Sequence, residues 1–360
     1  MNDRLGRFGP RELFALTTIC TLMYGCFSTD ETAAYDGGNQ LHFATLLALL
    51  VALGLLRLLI AALRRTGAHS LGDALHALPR PIGTFCAALF TLALLIAAAL
   101  PGVRFLRAMT DFIYIDATPA AVLLYCVPCL ALLAALGMET LARTGRVLLP
   151  ITLLVTAVGL GSDVPLYRVY RLFPLFTSAE KLLRQGAVSL FRFVPVVLLL
   201  LSTARGAQGF EHVWRAGRNG LLLGGALTVL AELCLGLSYR YTELSSLSAP
   251  LYRLMVEIDT DNASVRLDRV VLFAWTMAAL FASACAIYAA ALQLSETAGV
   301  GDVRPVAILL ACAVATGVLL IRRLDDRGAE ILFWLQRIGL ASVTAPLVAL
   351  IGRRRSACAA

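Results

Sequence analysis

Lysine is almost missing from this sequence: Lys181 is the one lysine, and arginine supplies every other cation among its 31 basic residues. Charge as a whole is scarce, at 15% of 360 residues, where a soluble domain of this length carries roughly a quarter. Histidine occurs only as His42, His69, His76 and His212, with no HExxH pair and no acids at metal-ligand spacing. There is also no phosphate-binding loop and no Gly-x-Ser-x-Gly elbow. These gaps exclude the common membrane hydrolases, and neither an enzyme nor a cofactor is expected. Acids barely enter the apolar runs, Glu232 being the one well embedded, which argues against a carboxylate proton relay. Glu232 itself reads equally as a buried acid bonded to a neighbouring helix or as a group used in ion coupling. Cysteines are scattered, mostly within apolar runs, so no disulfide framework is expected. Cys126-x-x-Cys129 has redox spacing but no second such pair and no nearby histidine, and reads as buried packing.

What the sequence does have is apolar length. Hydrophobic residues make up 59% of the chain, and mean hydropathy is +0.80. They fall in runs of roughly 17 to 25 residues, enough to cross a bilayer as helix. Only helices can do so here, since lipid offers no partner to an open backbone. The expectation is an all-α membrane fold of about ten spans, near 12–29, 41–63, 81–100, 117–138, 146–163, 187–204, 219–239, 267–294, 303–321 and 330–351. The first run lacks a small-residue cleavage site and reads as a span, not a leader.

The net charge of +8 does not point to nucleic acid, because the cations flank apolar runs, as in Arg64-Arg65, Arg322-Arg323 and Arg353-Arg354-Arg355. The bilayer is the partner this pattern fits. Arginine-bearing loops favour both termini inside. Two longer loops, 164–186 and 240–266, follow odd-numbered spans and so share the opposite side, where partners or lids could attach.

Ten spans divide into five plus five, a first repeat over 12–163, a linking loop 164–186 and a second repeat over 187–351 within one membrane domain. In an inverted repeat of this kind, a LeuT-like arrangement, the substrate lies mid-membrane between broken first and sixth helices. Matching irregularities occur at Tyr24-Gly25-Cys26 and at Phe193-Val194-Pro195, where Gly and Pro free backbone groups for a ligand. Tyr24, Gly25, Cys26, Phe193 and Pro195 are therefore candidate ligand-binding residues. Trp275 joins them as either a wall of the ligand path or an interfacial aromatic. Arg192, close to the expected start of span six, reads either as an embedded cation facing a ligand carboxylate or, the reading favoured here, as a cation reaching the outer interface. Thr118 and Pro119 read as helix cap and first helical residue. Glu139 and Arg143, four apart with the acid first, read as an ion pair at a helix end or, in the functional alternative, as a gate or subunit contact on the inner face.

Several of these stretches, in order, resemble a known family. Gly9-Pro10-Arg11-Glu12-Leu13-Phe14 opens the chain, and Thr118-Pro119 precedes Gly137-Met138-Glu139-Thr140-Leu141-Ala142-Arg143 and Pro150. Leu172-Phe173-Pro174-Leu175-Phe176 follows span five, then Ala249-Pro250-Leu251-Tyr252 leads to Arg266-Leu267-Asp268-Arg269 and Trp275. Together they resemble the B-subunit permeases of endospore germinant receptors (GerAB type), within the amino acid–polyamine–organocation superfamily. The resemblance marks Thr118, Pro119, Gly137, Glu139, Arg143, Pro174, Pro250 and Arg266 as motif positions. It implies a spore germination subunit in the inner spore membrane, binding a small nutrient such as an amino acid beside A- and C-type receptor subunits. The other reading with the same fold is a secondary amino-acid transporter driven by Na+ or H+. In span six the family carries an acid that Phe193-Val194-Pro195-Val196-Val197 lacks.

Overall fold

The computed structural model describes residues 6–27, 29, 36–76, 78–112, 116–207, 209–240, 242–244, 250–256, 267–321, 323, 331 and 334–344. The helices are α1 (Pro10–Phe27), α2 (Leu41–Thr66), α3 (Leu71–His76), α4 (Arg80–Phe112), α5 (Pro119–Ala135) and α6 (Met138–Ser162). After a loop come α7 (Ala179–Ser202), α8 (Phe210–Ser238), α9 (Pro250–Val256), α10 (Leu267–Ala298) and α11 (Val303–Ile321), then α12 (334–344). Seven of them, α2, α4, α6, α7, α8, α10 and α11, are long and apolar enough to cross a bilayer, and α5 is a shorter apolar helix. Most of the tenth expected span, 330–351, lies outside the described residues.

Local chemistry sets the helix ends. Thr118 Oγ1 accepts the Ala121 N–H at 3.4 Å, with Pro119 in the first position, as the sequence implies. Ser178 caps α7 by accepting the Lys181 N–H at 3.2 Å. Gly67 closes α2 in the left-handed region, its N–H donating to Leu63 O. Gly137, at φ +91°, makes the sharp junction between α5 and α6 that a side chain would strain.

Some boundaries differ from expectation, and the reason is polar first turns. Span six begins at Ala179 instead of 187, and span seven at Phe210 instead of 219. In both, an amphipathic or charged stretch continues the apolar helix without a break. Gly25 and Pro195 also lie inside continuous helix, not at interruptions: α1 runs to Phe27 and α7 through to Ser202. A proline is tolerated within such helices because neighbours re-satisfy the freed carbonyl.

Helix α1 is the axis of the bundle. Every residue from Leu13 to Phe27 except Phe14 is buried. Its Thr17, Thr18 and Thr21 hydroxyls donate to carbonyls four residues back, at 2.7, 2.8 and 2.7 Å, so this polar helix carries its own satisfaction. Helix α8 meets it through a seam of small residues. A Cβ on Gly224 would lie 2.6 Å from Thr18 O, and one on Gly220 3.0 Å from Phe14 O. Backbones that close gain contact along their whole length, which is how membrane helices associate without a hydrophobic drive.

The outer helices present apolar residues to lipid, among them Leu124, Tyr125 and Leu132 on α5 and Leu309 and Leu320 on α11. Cys129 lies on the exposed side of α5 with Cys126 only half-buried, so the expected buried packing of that pair is corrected.

The two faces are closed differently. On the N-terminal face the Phe8 N–H donates to Gly206 O at 3.2 Å, tying the entry of α1 to the loop after α7. Arg205 in that loop pairs with Asp73 and, at 2.8 Å, with Glu296, while Arg64 meets Glu211 at 2.6 Å. On the opposite face the 163–178 loop folds back over the end of α8. Arg168 N–H and the Arg171 guanidinium donate there to Leu237 O and Ser238 O.

Candidate ligand site

Where α1 ends, four other helices bring side chains to it. Tyr24 donates its hydroxyl to Ala282 O on α10 at 3.3 Å. One turn on, the Phe27 ring meets Trp275 of the same helix at 5.7 Å between centroids, tilted by 58°. Gly25 faces α8 so closely that a Cβ would fall 2.4 Å from Thr228 Oγ1. Cys26 lies beside Thr228 and near the charges of Glu232 and Arg192.

Arg192 and Glu232 form the electrostatic centre of this region. Arg192 Nη1 donates to Glu232 Oε1 at 2.7 Å, and the two residues are only 5% and 3% exposed. Thr29 bridges them. Its hydroxyl oxygen lies 2.9 Å from Glu232 Oε1, 3.0 Å from Arg192 Nη1 and 3.1 Å from Gly25 O. Arg192 therefore does not reach the outer interface as expected; it is an embedded cation with an embedded partner. The expectation failed because α7 starts eight residues earlier than the hydropathy suggested. Counted from Ala179, Arg192 lies thirteen residues into the helix, about 20 Å along it. Of the two readings of Glu232, the structure favours the acid bonded to a neighbouring helix.

Such a pair is balanced in charge but incomplete in hydrogen bonds. Arg192 Nη2 and Glu232 Oε2 are buried without partners, as are Trp275 Nε1, Thr45 Oγ1 and Ser189 Oγ. A buried polar atom left unmade costs about 1–3 kcal/mol, and two of these belong to one ion pair of opposite charges. Trp275 is 2% exposed, which removes the interfacial-aromatic reading.

Tyr24, Gly25 and Cys26 thus line the last turns of α1, Tyr24 against α10 and Gly25 and Cys26 against α8, while Trp275 packs on Phe27. Phe193 adjoins Arg192 in the chain and is fully buried; Pro195 is buried a turn deeper on α7. The sequence singled out Arg192 and Glu232 as embedded charges but did not pair them, nor place Thr29 and Thr228 beside them. The usable signal was one embedded charge of each sign in consecutive spans, which are natural partners in a membrane.

The motif positions have structural work. Glu139 pairs with Arg143 at 2.5 Å and also accepts the Arg7 N–H at 3.3 Å, so it holds the segment that leads into α1. Gly6 packs on Glu139, with φ +63°. Gly9 N–H donates to the Glu12 carboxylate, which caps α1 with Pro10 as its first residue. Pro250 opens α9, and the Phe173–Pro174 peptide is cis. Arg266 lies outside the described residues. Among the described residues no His, Cys, Asp and Glu group could hold a metal ion.

Comparison with solved structures places the fold. A Na+-coupled sialic acid symporter aligns with TM-score 0.69 at 11% identity, covering 96% of this chain and 78% of that one. The nucleobase–cation-symport-1 family transporter Mhp1 gives 0.69 at 14% identity, over 96% and 77%. A manganese transporter from Eremococcus coleocola gives 0.59 at 12% identity, over 93% and 76%. At these identities the likeness is one of fold: a LeuT-type transporter bundle, predominantly helical over its described residues. No curated protein matches the sequence. Residues 8–324 match the family described as spore germination protein, which spans all the elements from the α1 cap to α11. This integral, multi-pass membrane protein, a permease in fold and no enzyme, belongs to the spore germination protein family.

Proposed function

We propose that this chain is the ligand-binding membrane subunit of a nutrient-germinant receptor in the inner spore membrane. It binds a small amino acid where α1 ends against α7, α8 and α10, between two inverted five-helix repeats. The bound ligand shifts a helix equilibrium that A- and C-type partner subunits read.

One observation carries this reading: the buried Arg192–Glu232 pair leaves one guanidinium nitrogen and one carboxylate oxygen without partners. A zwitterion set beside the pair presents a carboxylate to Nη2 and an ammonium to Oε2. The four charges then alternate in sign, and each ion has an opposite neighbour. A ligand with only one charge leaves the other atom unmet, and the site discriminates against it. Phe27 and Trp275 supply an apolar wall for a side chain.

The second reading, a secondary amino-acid transporter driven by Na+ or H+, draws support from the fold shared with symporters. Two measurements separate the readings. Spores lacking this gene alone should lose germination on at least one amino acid while responses to other nutrients persist; survival of every response would sink the receptor assignment. The purified protein in nanodiscs should bind that amino acid and refuse its methyl ester, which lacks the carboxylate charge. Equal binding of acid and ester removes Arg192 from recognition, and concentrative uptake into proteoliposomes favours the transporter.

A further inference from the structure

The Arg192–Glu232 contact has a second meaning, independent of which nutrient binds. In transporter folds of this class, the C-terminal end of a half-helix and its free carbonyls are where a coupling cation is held. Here α1 ends at Phe27, and the negative end of its dipole points toward the group of oxygens just described. Those oxygens are Glu232 Oε1 and Oε2, Thr29 Oγ1 and, on α2, the buried hydroxyl of Thr45 beside the same carboxylate. Hard oxygen donors around one full negative charge suit a small hard cation. What sits among them is the guanidinium of Arg192, 2.7 Å from the carboxylate and 3.0 Å from the Thr29 hydroxyl.

We propose that Arg192 is a tethered cation filling a monovalent-cation site, so that this chain assembles its α1–α8 junction without Na+, and that removing the guanidinium uncovers a Na+ site. Physical bookkeeping of charge supports it. Glu232 is embedded between helices and must have a countercharge. A covalently attached one is always present, at no cost in binding entropy and with no dependence on salt composition. A guanidinium is also larger than Na+ and planar. It fills the space between α7 and α8, and truncating it leaves room for an ion with its remaining waters.

The test reads Na+ alone, with no amino acid present, so its failure is separable from failure of the nutrient assignment. Protein in nanodiscs is melted in NaCl and in N-methyl-D-glucamine chloride at equal ionic strength. Wild type should melt at the same temperature in both. Arg192→Ala should gain about 3 °C or more in NaCl, saturably, as a ligand binding the folded state does. Low guanidinium chloride, as a free replacement for the lost group, should stabilise Arg192→Ala in the same saturable way. Arg192→Ala combined with Glu232→Gln should lose both responses, because the ligating charge is gone. Saturable Na+ stabilisation of wild type would overturn the proposal, as would a folded Arg192→Ala indifferent to Na+. An Arg192→Ala protein that cannot be recovered folded with Na+ and guanidinium present throughout also counts against it.

Discussion

Replacing Glu232 with Leu is expected to remove most folded protein from the membrane, a larger effect than any exposed ion pair here should give. The change leaves Arg192 charged, almost wholly buried and facing only the Thr29 hydroxyl. Breaking one side of a buried pair costs about 3–5 kcal/mol, because the partner is left uncompensated. By contrast, Arg64–Glu211 is an exposed, solvent-screened pair, and truncating it should change the melting temperature far less. The control is the double change Arg192→Met with Glu232→Leu, which removes both charges and keeps apolar volume. It should restore most of the melting temperature in detergent while abolishing ligand response. A single Glu232→Leu variant that melts like wild type would mean that the pair is not formed in the folded protein.

The second large effect is expected at Gly224. Its missing side chain lets α1 and α8 approach until a Cβ would lie 2.6 Å from Thr18 O and 2.8 Å from Thr21 Cβ. The first of those neighbours is backbone, inside a helix that is buried on nearly every side. It cannot swing away as a side-chain tip could, so α8 must move as a whole. Gly224→Ala should cost about 1–3 kcal/mol by overpacking, and Gly224→Leu should prevent accumulation of folded protein. Gly54→Ala is the matched control, since nothing lies within 4 Å of its Cβ position on α2. There the change should be neutral or stabilising by up to about 1 kcal/mol, from helix propensity alone. Fluorescence-detected size exclusion after a heating series ranks the three variants. Equal profiles for Gly224→Ala and Gly54→Ala would refute the close seam.

Gly25 is a milder case of the same geometry. Its neighbour is the Thr228 side chain, which can turn. A Gly25 variant therefore mixes packing loss with any loss of ligand response.

How much of this was legible beforehand follows from what each signal measures. Hydropathy sums over some twenty residues, so it found in order the seven long apolar helices and the shorter α5. It located ends poorly where amphipathic turns extend a span, and the 179–186 stretch of α7 is the consequential example. Placing the start at 187 put Arg192 near the interface; the true start put it in the core. Hydropathy also ranked α1 as an ordinary first span. Its threonines make it the least typical one, because protein, not lipid, surrounds it. The cap at Thr118 and the Glu139–Arg143 pair were readable, being local chemistry within a few residues. The meeting of Thr29, Arg192 and Glu232 was not. Their separations of 163 and 40 residues carry no periodic signal, and only the packed bundle brings them together.

The lone lysine ends up in a useful place. Lys181 stands exposed in the first turn of α7, on the face away from the N-terminal segment. An amine-reactive reagent thus has a single side-chain address on the whole protein. A probe too polar to cross lipid reports by its labelling which way round the chain is inserted. A cross-linker anchored there can reach only what docks beside the 163–178 loop, so any neighbour it captures is mapped to one spot on the bundle.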